Sequence, residues 1–169
     1  MLESEDIYLD KAKLSDWLAM YRNVWSQPES ARYMAWRVTD SEDKAQMRMR
    51  RTIEFQQDHD SFLVYEKASG EAIGFVGVEK LNDGSCRENG ICLGPRFTGK
   101  GYGKQIVTVL MRYCREELGA AQFMYSAREQ NEAANGLARS LGFQLIGTEE
   151  KTDERDGRRY VLLRYSVKL

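Results

Sequence analysis

At 169 residues, with 42% hydrophobic and 30% charged side chains, the chain is long enough to bury a core without a disulfide or metal and too apolar to remain disordered. A formal net charge of −1 excludes the overall basic field that holds nucleic acid or an anionic membrane surface. Three cysteines (Cys86, Cys92, Cys114) without a CxxC pair, and one histidine (His59), assemble no zinc pattern and fit free thiols in a reducing compartment.

The acidic start Met1-Leu-Glu-Ser-Glu-Asp6 reads as neither a signal nor a transit peptide, and no apolar run reaches membrane-span length. A cytoplasmic protein with no membrane or nucleic-acid partner is expected. Ile7–Leu9 reads as a first strand. Ser15 or Asp16 is placed to cap a helix through Trp17, Met20, Tyr21, Val24 and Trp25, and Pro28 restarts a short helix to Met34. Ser41 begins a charged helix reaching about Gln57. From Ser61 the period changes: Phe62–Tyr65 and Ala72–Leu81 read as strands of an antiparallel meander, ended by the turn Asn82-Asp-Gly84. Glu88–Leu93 is the next strand. A glycine-rich turn leads into a helix from Tyr102 to Leu118 closed by Gly119. Strand Ala121–Ala127, helix Glu132–Leu141 closed by Gly142, and strands Phe143–Gly147 and Arg159–Val167 complete the chain. This order predicts an α+β fold with one mixed, mostly antiparallel sheet of about seven strands and helices on both faces. No linker or repeat divides it, so a single domain over 1–169 is expected. The acidic residues Asp40, Glu42 and Asp43, and Glu149, Glu150, Asp153, Glu154 and Asp156, read either as solvated loops and helix starts or as a surface that collects a cationic amine.

The informative segment is Arg96-Phe97-Thr98-Gly99-Lys100-Gly101-Tyr102-Gly103-Lys104, with three glycines in five residues between an apolar strand and an amphipathic helix. Alternating glycines turn the backbone tightly and aim successive N–H groups at one point, and the helix behind adds its positive end; the turn suits a phosphate or pyrophosphate. A dinucleotide fingerprint fails because Lys104 stands where its last glycine belongs. Gly94 to Lys100 supplies most of a Walker A loop, but Gly101 replaces the magnesium-binding Ser or Thr.

Arg96-x-x-Gly99-x-Gly101 resembles the Q/R-x-x-G-x-G/A signature of the GCN5-related N-acetyltransferases. Asn131-Glu-Ala-Ala-Asn135 through Leu141-Gly142-Phe143 resembles that family's second marker. With the element order, the resemblance covers nearly the whole chain. Within the family it looks most like the branch that acetylates the N-terminal amine of ribosomal proteins and its antibiotic- and small-amine-modifying relatives.

The resemblance implies an acetyl-CoA-dependent transfer to a primary amine, at a protein N-terminus or on a small molecule, by direct attack in a ternary complex. It implies that the N–H groups of Thr98, Gly99, Lys100, Gly101, Tyr102, Gly103 and Lys104, with Arg96, hold the coenzyme A pyrophosphate. The strand carrying Ile91, Cys92 and Leu93 would pair with the pantetheine arm, which Asn131 and Asn135 would also contact; Asn131 reads equally well as a simple helix cap. A backbone N–H on that strand would stabilise the oxyanion. Glu88 stands where the family often keeps a catalytic base. The family's tyrosine acid is replaced by Ala138, which leaves Tyr125, Ser126, Asn135 or water as proton source. Trp25, Tyr33, Trp36 and Tyr125 are candidates for the acceptor pocket, with core packing the alternative for the first three. Cys92 reads as a buried, inert thiol rather than an acetyl carrier, and His59 as a loop residue. No metal is expected, and a homodimer is in keeping with the family. The rival readings are a non-catalytic acyl-CoA-binding module of the same fold, favoured by Ala138, and a nucleotide-binding enzyme.

Overall fold

The computed structural model describes all residues, 1–169. In chain order the elements are β1 (Leu2–Glu3), β2 (Ile7–Asp10), α1 (Trp17–Met20), α2 (Pro28–Ala31), α3 (Glu42–Asp58), β3 (Asp60–Glu66), β4 (Ala72–Lys80), β5 (Cys86–Leu93), α4 (Tyr102–Glu116), β6 (Gln122–Arg128), α5 (Glu132–Ser140), β7 (Gln144–Thr152) and β8 (Arg159–Lys168). The strands form one mixed, mostly antiparallel sheet in the order β1-β2-β3-β4-β5-β6-β8-β7, in which β5 and β6 run parallel. The fold is therefore α+β, as its pattern predicts, with eight strands rather than seven. The additional strand, β1, is two residues long and exists by pairing Leu2 with Leu9, too short a stretch to carry a period.

The chain divides into two compact units. The first comprises Met1–Glu79 and Asn89–Leu110. Ile7 and Leu9 alternate inward along β2, whereas Phe62 to Glu66 of β3 are buried without alternation, as in strands covered on both faces. Helix α3 starts where Ser41 Oγ accepts the Lys44 N–H at 3.2 Å, a side-chain cap on an otherwise orphaned donor. Its apolar face places Ala45 and Met49 in a core with Met20, Val24, Trp25, Leu63 and Cys92. The first helix departs from its expected start. Neither Ser15 nor Asp16 caps it; Leu14–Asp16 form a tight turn, and Asp16 Oδ2 accepts from the Lys13 N–H and from Tyr65 Oη, each at 2.7 Å. After α1 the backbone widens into a π-type turn over Tyr21–Trp25, which leaves Asn23, Val24 and Trp25 buried in succession. A Cβ on Gly74 of β4 would overlap the Cys92 carbonyl, so this glycine allows the close approach of β5.

The second unit comprises Lys80–Glu88 and Met111–Leu169. Strands β6, β8 and β7 pair antiparallel, with Tyr125 opposite Tyr165. The rings of Phe123, Tyr125, Phe143 and Tyr165 form its aromatic centre, with centroid separations of 5.7 to 6.3 Å. Three of its acidic residues have cationic partners: Asp153 accepts from Arg128 and Arg155, Glu149 pairs with Arg164, and Asp156 with Arg158. In the first unit Asp40 pairs with Lys44. Four of the acids that read as a cation-collecting surface are thus already matched by the chain's own cations.

Candidate functional site

In the first unit the glycine turn leaves β5 through a tight turn at Pro95–Phe97 and enters α4 at Tyr102. Gly99 has φ +75° and Gly101 φ +80°, values that L side chains adopt only with strain. A Cβ at either would meet open space, so the backbone conformation alone requires glycine there. The first N–H groups of α4 have no intrahelical acceptor and carry the helix's positive end. The side chains of Arg96, Lys100 and Lys104 are exposed around the turn. Thr98 Oγ1 donates to the Pro95 carbonyl at 2.9 Å. Beneath the turn lies a carboxylate that the sequence did not reveal. Buried Glu66 accepts from Tyr102 Oη at 2.7 Å and from Ser69 Oγ at 2.8 Å, with Lys100 Nζ 3.6 Å away. The Tyr102 hydrogen bond, then that of Ser69, holds the Glu66 carboxyl below its ordinary range. Tyr102 thereby ties the first residue of α4 to β3.

On β5, Ile91 and Leu93 are half-buried and Cys92 is buried. The Cys92 thiol donates to the Ser30 carbonyl at 3.5 Å, and burial pushes its pKa up to about 12. Gly90, within the strand, has φ +143° and so marks an irregularity in the ladder. A lone glycine in a strand was the available signal, and it passed unread.

The same unit contains a cavity of about 320 Å³, lined by α3, β3, β4 and the Asn89-Gly90 stretch of β5 together with Trp25 and Trp36. Of the residues proposed from sequence for an acceptor pocket, these two tryptophans line it. Tyr33 does not; its ring packs against Arg32, with the guanidinium 5.1 Å from the centroid. The lining also includes Arg48, Arg51, Thr52 and Gln56, which in sequence belong to an undifferentiated charged helix.

In the second unit the parallel β5–β6 pairing covers Cys86–Phe123 and Arg87–Met124, and Glu88 follows directly. Glu88 Oε1 accepts from the Ser126 N–H at 3.2 Å and from Ser126 Oγ at 3.1 Å. Asn131 caps α5 through Oδ1, which accepts the Ala134 N–H at 3.2 Å. Asn135 is buried. Its Nδ2 donates to the carbonyls of Arg128, Glu129 and Asn131, and its Oδ1 accepts from Tyr165 Oη at 2.8 Å. That amide is fully engaged inside the unit. Tyr125 Oη donates to the Ala134 carbonyl at 3.4 Å, and burial raises its pKa. Tyr125 is not among the residues that line the cavity. Ala138 is fully buried and provides no polar atom.

An α+β sheet whose glycine turn opens a helix is the architecture of an acyl-CoA N-acyltransferase. The family model of the acetyltransferase (GNAT) domain matches residues 6–144, and the chain belongs to that family. The N-alpha-acetyltransferase RimI of Mycobacterium tuberculosis is 27% identical over 88 residues, which are 50% of this chain and 53% of RimI; the match thus spans about half the length of that relative. Among solved structures, a GNAT-family acetyltransferase from Bacillus anthracis superposes with a TM-score of 0.83 at 14% identity, covering 99% of this chain and 97% of that one. Spermidine N-acetyltransferase from Vibrio cholerae, solved with CoA and spermine, superposes with a TM-score of 0.77 at 18% identity, covering 98% and 96%. These likenesses establish the fold. The donor of the family is acetyl-CoA, and the left-handed glycines, the helix N-terminus and the three surrounding cations suit its pyrophosphate.

Proposed function

We propose that the chain is an acetyl-CoA-dependent N-acetyltransferase that moves an acetyl group to a primary amine by direct attack. The observation that carries this reading is the Gly99–Gly101 turn at the start of α4, fixed by the Tyr102–Glu66 hydrogen bond in a chain of the GNAT family. Acetyl-CoA, when bound, supplies the activated acetyl group and a thiolate leaving group. The backbone N–H groups from Thr98 to Lys104 hold its pyrophosphate, and Ile91 and Leu93 offer strand edges to its amide arm.

Amine attack requires a neutral nitrogen, and Glu88 is the base that takes the proton. Ser126 donates twice to Glu88 Oε1, which fixes the orientation of the carboxylate. Cys92 is held as a protonated, buried thiol, which supports direct transfer over an acetyl-cysteine route. A primary amine of a small molecule or of a protein N-terminus is the acceptor class. The ribosomal-protein N-terminal branch is the one this chain looks most like. The test is calorimetric titration with acetyl-CoA and, separately, ATP with magnesium, followed by thiol release across an amine panel. Micromolar acetyl-CoA binding with amine-dependent thiol release supports the reading. Binding of ATP alone overturns it.

A second reading, a non-catalytic acyl-CoA-binding module, draws on Ala138, a buried methyl where the family often keeps a tyrosine acid. Tight acetyl-CoA binding without thiol release from any amine would select it.

A further inference from the structure

The cavity of the first unit is lined by two guanidinium groups and no carboxylate. Arg48 lies with its guanidinium carbon 4.5 Å from the Trp36 ring and 4.7 Å from the Trp25 ring, and its one hydrogen bond goes to Thr39 Oγ1 at 3.1 Å. It makes no ion pair. Burial pulls its pKa down to about 10, and no acidic residue opposes that shift, only the Cys92 thiol. Arg51, one turn along α3, makes its hydrogen bond to the Met47 sulfur, at 3.6 Å, and no ion pair. A cation desolvated beside apolar rings without a counter-ion is costly, and an anion entering the cavity removes that cost.

Gln56 provides an independent observation. It is 4% exposed, and its Nε2 is buried with no hydrogen-bond partner. Its amide orientation is fixed, because Oε1 accepts the Ala12 N–H at 2.7 Å and only the oxygen can do that. Gln56, the residue that carries this donor, lines the same cavity as Arg48 and Arg51, and a buried unsatisfied donor calls for an explanation. Trp25, Trp36, Phe55 and Phe75 supply flat apolar walls, and Thr52, Ser61 and Asn89 add neutral polar groups.

We infer that this cavity is the acceptor site of the proposed transferase, and that it selects amines carrying an anionic oxygen group, carboxylate or phosphate, beside a flat apolar body. The inference rests on the transferase reading for the amine, and on the cavity alone for the anion. Arg48 and Arg51 supply charge, Gln56 Nε2 supplies a directed donor, and the aromatic rings hold the body. A polyamine, cationic throughout, meets two like charges here and no carboxylate.

The test is calorimetry on the full chain with CoA present, using probes matched but for the anion. Phenylalanine is compared with phenethylamine for the carboxylate, and pyridoxamine 5′-phosphate with pyridoxamine for the phosphate. In at least one pair the acid binds ten- to a hundredfold more tightly, the range that one charge-assisted hydrogen bond supplies; the responding pair identifies the oxygen group. Arg51→Gln, at an exposed position that the fold does not depend on, cuts that advantage. Gln56→Glu keeps the oxygen facing Ala12 but replaces the donor with an anion, and reduces it further. Equal affinities, a preference for the uncharged partner, or no binding of either acid at millimolar concentration overturns the inference. With acetyl-CoA in place of CoA, acid binding without thiol release from any amine would refute the transferase reading and leave the anion site standing. Turnover of phenethylamine with no acid preference would do the reverse.

Discussion

Replacing Asn135 by alanine tests whether this residue contacts the cofactor, as the family resemblance implies, or clasps the second unit. The side chain joins the Arg128–Asn131 loop to α5 through three carbonyls and to β8 through Tyr165 Oη, at 2.8 to 3.2 Å. Asn135 is 3% exposed and Tyr165 4%, so water does not replace the lost partners. Each net hydrogen bond contributes about 1 kcal/mol, and an orphaned buried hydroxyl adds roughly 1–3 kcal/mol of desolvation cost. Together these place Asn135→Ala at about 2–5 kcal/mol, which for a chain of this length lowers Tm by roughly 5–15 °C. Tyr165→Phe removes one bond only and costs about 1 kcal/mol. Asn135→Asp keeps the acceptor for Tyr165 but turns a carboxylate toward three carbonyls, so it is at least as damaging at neutral pH and recovers in acid. Thermal melts of the three variants, with CoA affinity measured at low temperature, decide the matter. A melt within about 1 °C of the parent, combined with a tenfold loss of CoA affinity, would refute the clasp and make Asn135 a cofactor contact.

Glu88→Gln is expected to lower kcat by about 10² to 10⁴ with CoA affinity intact, and Ser126→Ala to lower it less; an unchanged rate in Glu88→Gln would remove the residue from the mechanism. Gly101→Val forces a β-branched residue to φ +80°, at a cost of about 1–3 kcal/mol, and weakens CoA binding more than Gly101→Asn does, because asparagine tolerates that conformation; equal affinities would detach the turn from the cofactor. Glu66 has a folded pKa held below its ordinary 4.5, first by Tyr102, so its contribution to stability is present above that value and disappears as pH falls through the lower one. The Tm difference between the parent and Glu66→Gln should therefore be largest near neutrality and close below pH 4.5, and a difference that grows in acid would contradict the assignment.

The order of elements was legible because period changes and glycine closures are local signals. The glycine turn was legible for the same reason: few backbones need glycine at 99 and 101 together. What escaped the sequence depends on three-dimensional placement. Residues 42 to 58 of α3 read as a charged helix, and periodicity puts Arg48, Thr52 and Phe55 on neighbouring turns. Nothing in the order of residues says whether that face meets water or a cavity. The π-type turn at Tyr21–Trp25 has no sequence marker, since it comes from tertiary packing of Asn23 to Trp25. Asn135 was visible as part of a family marker, but its role depends on Tyr165, thirty residues away. Glu66 was hidden for a related reason: a strand-end carboxylate looks solvated until Tyr102 and Ser69 are seen to donate to it.

The cavity's charge also bears on how an amine becomes a nucleophile. An alkylammonium group has a pKa far above neutrality, so most of any such acceptor arrives protonated. Two nearby cations disfavour that charged form and lower the amine's pKa on binding. In the proposed acceptor site, Arg48 and Arg51 therefore do two things at once. They attract the anionic end of the ligand, and they make its amine easier to deprotonate. In the proposed mechanism the proton goes to Glu88, held by two hydrogen bonds from Ser126. The proposal predicts that a purely cationic polyamine binds this cavity poorly despite carrying the right nucleophile, because it would meet the repulsion without the compensating anion contact. Selectivity for an anionic acceptor and activation of its amine would then share a single electrostatic origin on one face of α3.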